Sequence, residues 1–499
     1  MTVPTHHSVT TSRLSALALP LICLAQLMAT LDVTIVNLAL PAVQTEFALS
    51  NASLAWVIDA YTLTYGGLLL LGGRAGDLFG HRRTLVVGVL LFTASSLLGG
   101  LARDESVLLA ARAIQGLGAA LATPTTLSLI TTLHPPGPRR NKAMIAYGAM
   151  AGLGITLGLV LGGILTEAAS WRWVFLVNVP IGLLLAVAAP KVLPDTAGRR
   201  RRLDLLGALS GTAALTSLVY GVIRAGGEGW DDRAAHAALV LSVLLVGVFV
   251  KVERAVAEPM LPLSLLRHRT RLGAYLIAML LFACLYPSFF FLTRALQDVF
   301  ARRPMETGLQ FLPIGVGVLI FAVATRRFVP VYGARRMVVG GTAAAMLAAL
   351  WLAQLDAGDA YVTMLLPCLV GLGAGVGTTF VANAAAAMTD VPEHETGIAS
   401  GLLSTFQAVG GTVGVAVLAS VAARVTEDQV ADATALGLPS TAVIQDAVMS
   451  GFARGFVLAA VLAGLACAVA IYTSPGRSTG LRGPAPRRQP VAVLDDDRG

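Results

Sequence analysis

The chain has 499 residues, of which 56% are hydrophobic and only 13% charged, and its mean hydropathy is +0.76. A water-facing surface cannot be covered from such a composition, which excludes a soluble globular domain and makes lipid the solvent. The net charge of +8 does not point to nucleic acid, because the arginines sit in short connections between apolar runs instead of forming one basic stripe; orientation in a membrane accounts for them.

A helix that crosses a bilayer needs roughly 20 apolar residues. The first such run follows Arg13 and carries on through Asp32 and Asn37 to Leu40 without an A-x-A-like cleavage site, so it reads as a retained span and not as a signal peptide. In chain order the expected spans lie near 14–36, 54–72, 84–102, 107–131, 143–165, 173–190, 205–223, 235–252, 272–293, 307–325, 337–355, 361–388, 397–422 and 455–472, about fourteen in all and every one helical. The expectation is an all-α polytopic membrane protein. Cys23, Cys284, Cys368 and Cys467 are scattered singly through apolar runs, with no CxxC pair and no neighbouring histidines, so neither a disulfide nor a metal site is read from them.

Lys and Arg are concentrated in one set of alternate connections, including Arg74, Arg82, Arg83, Arg139, Arg140, Lys142, the arginines at 199–202, Arg254, Arg267, Arg326, Arg327, Arg335 and Arg336. With an even number of spans this puts both termini in the cytoplasm. The acidic connection from Asp390 to Glu395 is the exception. Gly80-His81-Arg82-Arg83 after the second span is echoed by Gly333-Ala334-Arg335-Arg336 after the tenth, which suggests two parallel halves of six spans each with two spans inserted between them. The segments are then a tail at 1–13, a first bundle at 14–190, a linker with two extra spans at 191–271, a second bundle at 272–473 and a Pro/Arg-rich tail at 474–499, expected to be disordered.

Residues 73–83, GRAGDLFGHRR, resemble the signature connection of the major facilitator superfamily, at the place where that family has it. LDVTIVNLALP at 31–41 and WRWVFLVNVPIG at 171–182 resemble its fourteen-span drug:proton antiporter branch (EmrB/QacA-type), and the matches in order cover nearly the whole chain. The resemblance implies the major facilitator fold, two six-helix bundles that alternate access to a central cavity, with two extra helices between them. In such proteins the connection holding Gly73, Asp77, Gly80, Arg82 and Arg83 latches the halves; a turn that only sets topology is the other reading. Physically, it needs glycines for tight turns, an acid to pair at a helix end and cations to hold it at one face.

Asp32 lies inside the first span, where an ionised carboxylate costs about 2.5 to 3.5 kcal/mol. It is expected either to exchange a proton for a cationic ligand or to serve as a packing acid bonded to Thr34 or Asn37. Asp59, in the second span, either lines the same cavity or sits near the outer interface. Arg112, in RAIQGLG at 112–118, resembles the family segment linked to proton transfer; it is either a buried partner of a carboxylate or a long stem that snorkels outward. Gly154, Gly158, Gly162 and Gly163, with Gly152, resemble the family's antiporter motif except that Leu159 stands where a proline is usual; glycines at four-residue steps also leave a groove for a neighbouring helix.

The second half shows no acid deep in its spans, and Phe289, Phe290, Phe291 and Phe311 either wall the cavity or face lipid. Residues 424–449, with Glu427, Asp428, Asp432 and Asp446, form either short amphipathic helices over the exit or a solvated linker. Neither a nucleotide-binding loop nor a catalytic cluster is found in the pattern, so the reading is a secondary transporter without cofactor, not an enzyme. The resemblance implies proton-coupled efflux of small lipophilic, often cationic, drugs or antibiotics by a monomer in the cell membrane. An exporter dedicated to one metabolite of the cell and a membrane sensor that binds without transporting are the alternatives.

Overall fold

A computed structural model describes residues 8–49, 51–135, 138–195, 205–256, 261, 264–356, 360–389, 391, 396–435 and 440–474. The start of the N-terminal tail, the arginines at 199–202, most of the acidic 390–395 connection and the tail beyond Ser474 lie outside the described residues.

The described residues are helical wherever they are regular, as lipid demands, since a helix is the segment that satisfies its own backbone. The first stretch contains α1 (Ser8–Phe47), α2 (Asn51–Phe79), α3 (His81–Gly100), α4 (Glu105–Leu133), α5 (Pro138–Ala168), the single turn α6 (Trp173–Leu176) and α7 (Asn178–Val192). A hairpin of α8 (Leu205–Glu228) and α9 (Arg233–Ala255) follows. After the turn α10 (Ser264–Arg267) come α11 (Arg269–Arg294), α12 (Pro304–Gln310), α13 (Leu312–Tyr332), α14 (Ala334–Leu352), α15 (Leu366–Ala387), α16 (Thr396–Ala435) and α17 (Thr441–Thr473).

Twelve of these helical stretches are long and apolar enough to cross a membrane, against the fourteen expected. The other two expected spans, 54–72 and 337–355, fall on α2 and α14. Both are helices: α2, of 29 residues, includes Asp59, two threonines and two glycine pairs, and α14, of 19 residues, carries Arg335 and Arg336 in its first turn. Each is held by protein neighbours: α2 by α4, α8 and α16, and α14 by α15 and α17. The first span is longer than 14–36, since α1 continues through Pro41 to Phe47. The 424–449 segment makes no separate helices; it continues α16 to Ala435 and opens α17 at Thr441, where the Ser440 hydroxyl accepts the Val443 N–H.

The repeat suggested by the two basic turns is present in the packing. In the first half α1 packs on α5 and α7, α4 on α2 and α3, and α3 on α7. In the second half α11 packs on α16 and α17, α15 on α13 and α14, and α14 on α17, the same pairing in the same order. Gly80 and Gly333 occupy equivalent turns with φ of 90° and 83°, a conformation that side-chain-bearing residues avoid. The halves meet along α5 against α12 and α13, and along α2 against α16; α8 lies over α2 and α16 with α9 outside it.

At the end where α5 finishes, polar bonds tie the halves together. Glu167 pairs with Arg303 at 3.0 Å and accepts the Met305 N–H at 3.1 Å. Gln297 donates to the Leu38 carbonyl at 3.4 Å. Phe289, Phe291 and Phe311 belong to the apolar core of the second half, which Leu38 and Leu159 of the first half also join, so they do not face lipid. Phe290 is half-buried and packs against that core and one of the first half.

A methyl group at Gly333 or at Gly340, within α14, would meet no atom within 4 Å, so substitution there isolates backbone conformation. Gly333→Ala is expected to lower stability by about 1 kcal/mol or more through its positive φ, whereas Gly340→Ala leaves it unchanged or raises it by up to about 1 kcal/mol. Thermal unfolding of the detergent-purified variants checks this ordering.

Candidate functional site: a buried ion pair in the first bundle

Charged side chains that enter an apolar helical bundle have to find partners, and the first bundle supplies them from four helices. Asp32 of α1 is 0% exposed and Arg112 of α4 is 1% exposed. Arg112 Nη1 donates to Asp32 Oδ2 at 2.8 Å. One turn further along α4, Gln115 Nε2 donates to Asp32 Oδ1 at 2.7 Å, and Asn178 Nδ2, at the start of α7, reaches the same oxygen at 2.9 Å. The guanidinium is equally occupied: its Nε donates to the Val57 carbonyl of α2 at 2.9 Å and its Nη1 to Gln115 Oε1 at 2.8 Å. It also lies 4.4 Å from the Tyr61 ring centroid, a cation–π contact of the kind worth about 2 kcal/mol when dry. Gln115 completes the network by donating to Ser96 Oγ on α3 at 2.7 Å.

This arrangement bears on two of the open alternatives. Asp32 is not bonded to Thr34 or Asn37, whose side chains donate to the carbonyls of Leu31 and Val33 in the preceding turn. Arg112 does not snorkel; its stem turns inward because Asp32, Val57 and Gln115 replace every water it would gain outside. Gln115 and Asn178 had been quoted only as parts of motifs. Their signal was a polar side chain within an apolar run, one of them three residues after Arg112 on the same helix face.

Asp59 does not join this centre. It is buried, at 2% exposed. Tyr61 and Thr64 face α4, but Trp56 and Leu63, three residues before Asp59 and four after, pack against α8 and α16. At 100° per residue Asp59 shares the face of Trp56 and Leu63, directed away from Arg112. The two acids therefore point to different surroundings.

The 73–83 segment is less a loop than the last turn of α2 and one glycine. Asp77 lies 4.0 Å from Arg74 and 3.7 Å from His81. Arg82 pairs with Asp195 at 2.9 Å and donates to the Pro190 and Leu193 carbonyls, both at 3.2 Å, fastening the turn to the end of α7. Arg83 is exposed, and Gly73 rests against Pro124 of α4 at 3.7 Å.

The glycines of α5 serve two interfaces. Gly154, Gly158 and Gly162 face α1: a methyl group would stand 2.8 Å from Thr30 Cβ, 2.8 Å from the Leu31 carbonyl and 2.6 Å from the Ile35 carbonyl respectively. Gly163 faces the other half, where a methyl group would run into the backbone at Pro304. Such close backbone approach is what small residues permit between helices in lipid. At the same end, Glu46 accepts the Trp171 indole N–H at 2.6 Å and two bonds from Arg172 at 3.0 and 2.7 Å, so the WRW motif pins the end of α1.

A multi-pass helical protein built twice from one pairing scheme, with a buried ion pair in its first half, has the architecture of a secondary transporter. The sequence profile of the Major Facilitator Superfamily matches residues 22–415, and the chain belongs to that family. It is 42% identical over 419 residues to the puromycin resistance protein pur8 of Streptomyces alboniger, covering 83% of each chain. It is 35% identical over 397 residues to the multidrug resistance protein Stp of Mycobacterium tuberculosis, covering 79% of this chain and 73% of that one. Among solved structures, it is similar to a bacterial homolog of the human lysosomal transporter Spinster in its inward-facing, unoccupied conformation, with a TM-score of 0.61 at 15% identity, over 92% of this chain and 97% of that one; this likeness concerns the fold alone.

Removing one partner of a buried ion pair leaves the other charge without compensation. Arg112→Leu is expected to cost about 3 to 5 kcal/mol, and Asn178→Leu, which removes one of three donors to Asp32, about 1 to 3 kcal/mol. Unfolding midpoints of the purified variants, with Arg112→Leu the lower, are the check.

Proposed function

We propose that the protein exports small lipophilic, often cationic, drugs or antibiotics from the cell in exchange for protons, by alternating access between its two halves. The observation that carries this reading is the fully buried Asp32–Arg112 network inside a family of transporters, together with relatives named for puromycin resistance and multidrug resistance. Ionisable groups at this depth are costly to keep and mark ion or substrate pathways. Asp32, Asp59 and Arg112 form the coupling set, the turn carrying Gly73, Asp77, Gly80, Arg82 and Arg83 gates the cytoplasmic side, and Gly154, Gly158, Gly162 and Gly163 form the surfaces on which helices slide.

In this reading the chain has the fourteen spans of the EmrB/QacA-type branch. α2 and α14 supply the two spans beyond the twelve, each packed against neighbouring helices. The segments 1–13, 14–190, 191–271, 272–473 and 474–499 are then a cytoplasmic tail, the first bundle, the linker with its two extra spans, the second bundle and a second cytoplasmic tail. The basic turns lie inside, and the transporter works as a monomer. A narrower reading, export of one antibiotic, is favoured by the single compound in the name of the 42% identical relative.

Uptake of puromycin or a lipophilic cationic dye into inside-out vesicles tests the proposal. With the proton gradient intact, uptake is expected to exceed that after a protonophore by about tenfold, and Asp32→Asn is expected to abolish it. Uptake that ignores the gradient would overturn proton coupling. Uptake of puromycin alone, with the dye excluded, would select the dedicated exporter.

A further inference from the structure

Asp32 and Asp59 differ in a way that bears on which of them exchanges the proton. A carboxylate that drives a conformational cycle has to experience different surroundings in the two conformations, because a ligand shifts an equilibrium only through its differential interaction with the two states. Every partner of the Asp32–Arg112 network lies within the first half: Val57 and Tyr61 on α2, Ser96 on α3, Gln115 on α4 and Asn178 on α7. When that half moves as a unit the network moves with it unchanged. Two amide donors and a guanidinium satisfy the Asp32 carboxylate within that half.

Asp59 stands where three bodies meet. Its face of α2 packs on Val219, Val222 and Ile223 of the inserted helix α8 and on Ala416 of α16, which belongs to the second half. Its Oδ1 is buried without a hydrogen-bond partner among the described residues, an arrangement that suits a carboxyl group able to carry a proton and is costly for an isolated anion. Two further buried oxygens in the same seam, Thr212 Oγ1 of α8 and Ser420 Oγ of α16, also have no partner. Thr216 of α8 abuts Gly67 and Ala408 of α16 lies 3.7 Å from a methyl position at Gly66. Counting about 1.5 Å per residue from these contacts puts Asp59 between the levels of Thr212 and Ser420. Charged and titratable groups on the neighbouring elements include Tyr220, Arg224 and Glu228 of α8, Arg424, Glu427, Asp428 and Asp432 of α16 and, beyond the far face of α2, Arg112 of α4; Arg224 is already paired with Asp232.

We infer that Asp59 is the residue that binds the exchanged proton, at a seam closed by α2, α8 and α16, while Asp32 stays ionised throughout the cycle as a positioning residue of the first half. Rocking of the second half opens and closes the α16 wall, so the Asp59 carboxyl takes up its proton with the seam open to one side of the membrane and loses it with the seam open to the other. The inserted hairpin is thereby part of the coupling machinery. This rests on the efflux reading above for its cargo but not for the proton site itself.

The test uses the purified full-length protein in lipid, as wild type, Asp59→Asn, Asp59→Glu and Asp32→Asn. The infrared band of a buried protonated carboxyl group, followed against pH, is expected in wild type and Asp32→Asn, shifted in Asp59→Glu and missing in Asp59→Asn. In vesicles, Asp59→Asn is expected to lose about tenfold or more of gradient-driven accumulation; Asp59→Glu recovers part of it. A band that survives in Asp59→Asn and vanishes in Asp32→Asn would overturn the inference, as would gradient-driven accumulation unchanged in Asp59→Asn. A wild type that shows the Asp59 band but moves no puromycin would overturn the efflux reading and leave the proton site standing.

Discussion

The buried bond between Asp32 and Arg112 is the constraint around which the first half is built. Two opposite charges in an apolar bundle persist only with near-complete hydrogen bonding, since desolvation otherwise outweighs their attraction. Meeting that demand recruits α1, α2, α3, α4 and α7 at once, so one ion pair fixes the mutual rotation of five helices. The glycines of α5 that let α1 approach and the Glu46 cluster at the end of α1 hold the same helix from its other sides. A half that is so tightly specified is suited to move as one piece.

The contacts between the halves are of another kind. α5 meets α12 through small residues, with Gly163 against Pro304 and Gly308 against Leu159, and the polar ties collect at one end around Glu167. Surfaces of small residues with a few polar ties can part and reseat at little cost, which the cores around Phe291 and Phe456 or around Phe92 and Tyr61 cannot do. The α8–α9 hairpin lies over the second seam, along α2 and α16. It adds a third surface to one interface and not to the other, which makes an otherwise repeated structure asymmetric.

Much of the fold was legible because lipid restricts the options: long apolar runs can only be helices, and the two Gly-x-Arg-Arg turns marked the repeat that the packing then displayed. The number of spans was harder to read, since α14 has only 19 residues and carries two arginines in its first turn, so its apolar stretch is short for a membrane crossing. Asp32 and Arg112 stood out as charges in apolar runs. Their pairing did not, because residues 80 apart are joined only by the packing of α1 on α4. The surroundings of Asp59 were left open for a related reason: periodicity shows that a helix has faces, but not which neighbour each face meets. The 424–449 segment looked like a connection because its acids interrupt the apolar pattern, whereas backbone helicity extends past the apolar stretch of α16 and α17.

The claim on which the account turns is that the two halves are rigid units that move against each other. Pulsed electron-spin distance measurements test it directly, on protein with Cys23, Cys284, Cys368 and Cys467 replaced. One pair of labels at Ala168 and Arg302 spans the halves, and one pair at Ala168 and Arg103 stays within the first. The account predicts two distances for the first pair, exchanging population as pH changes, and a single unchanged distance for the second. One fixed distance across the halves, or equal changes in both pairs, would contradict it.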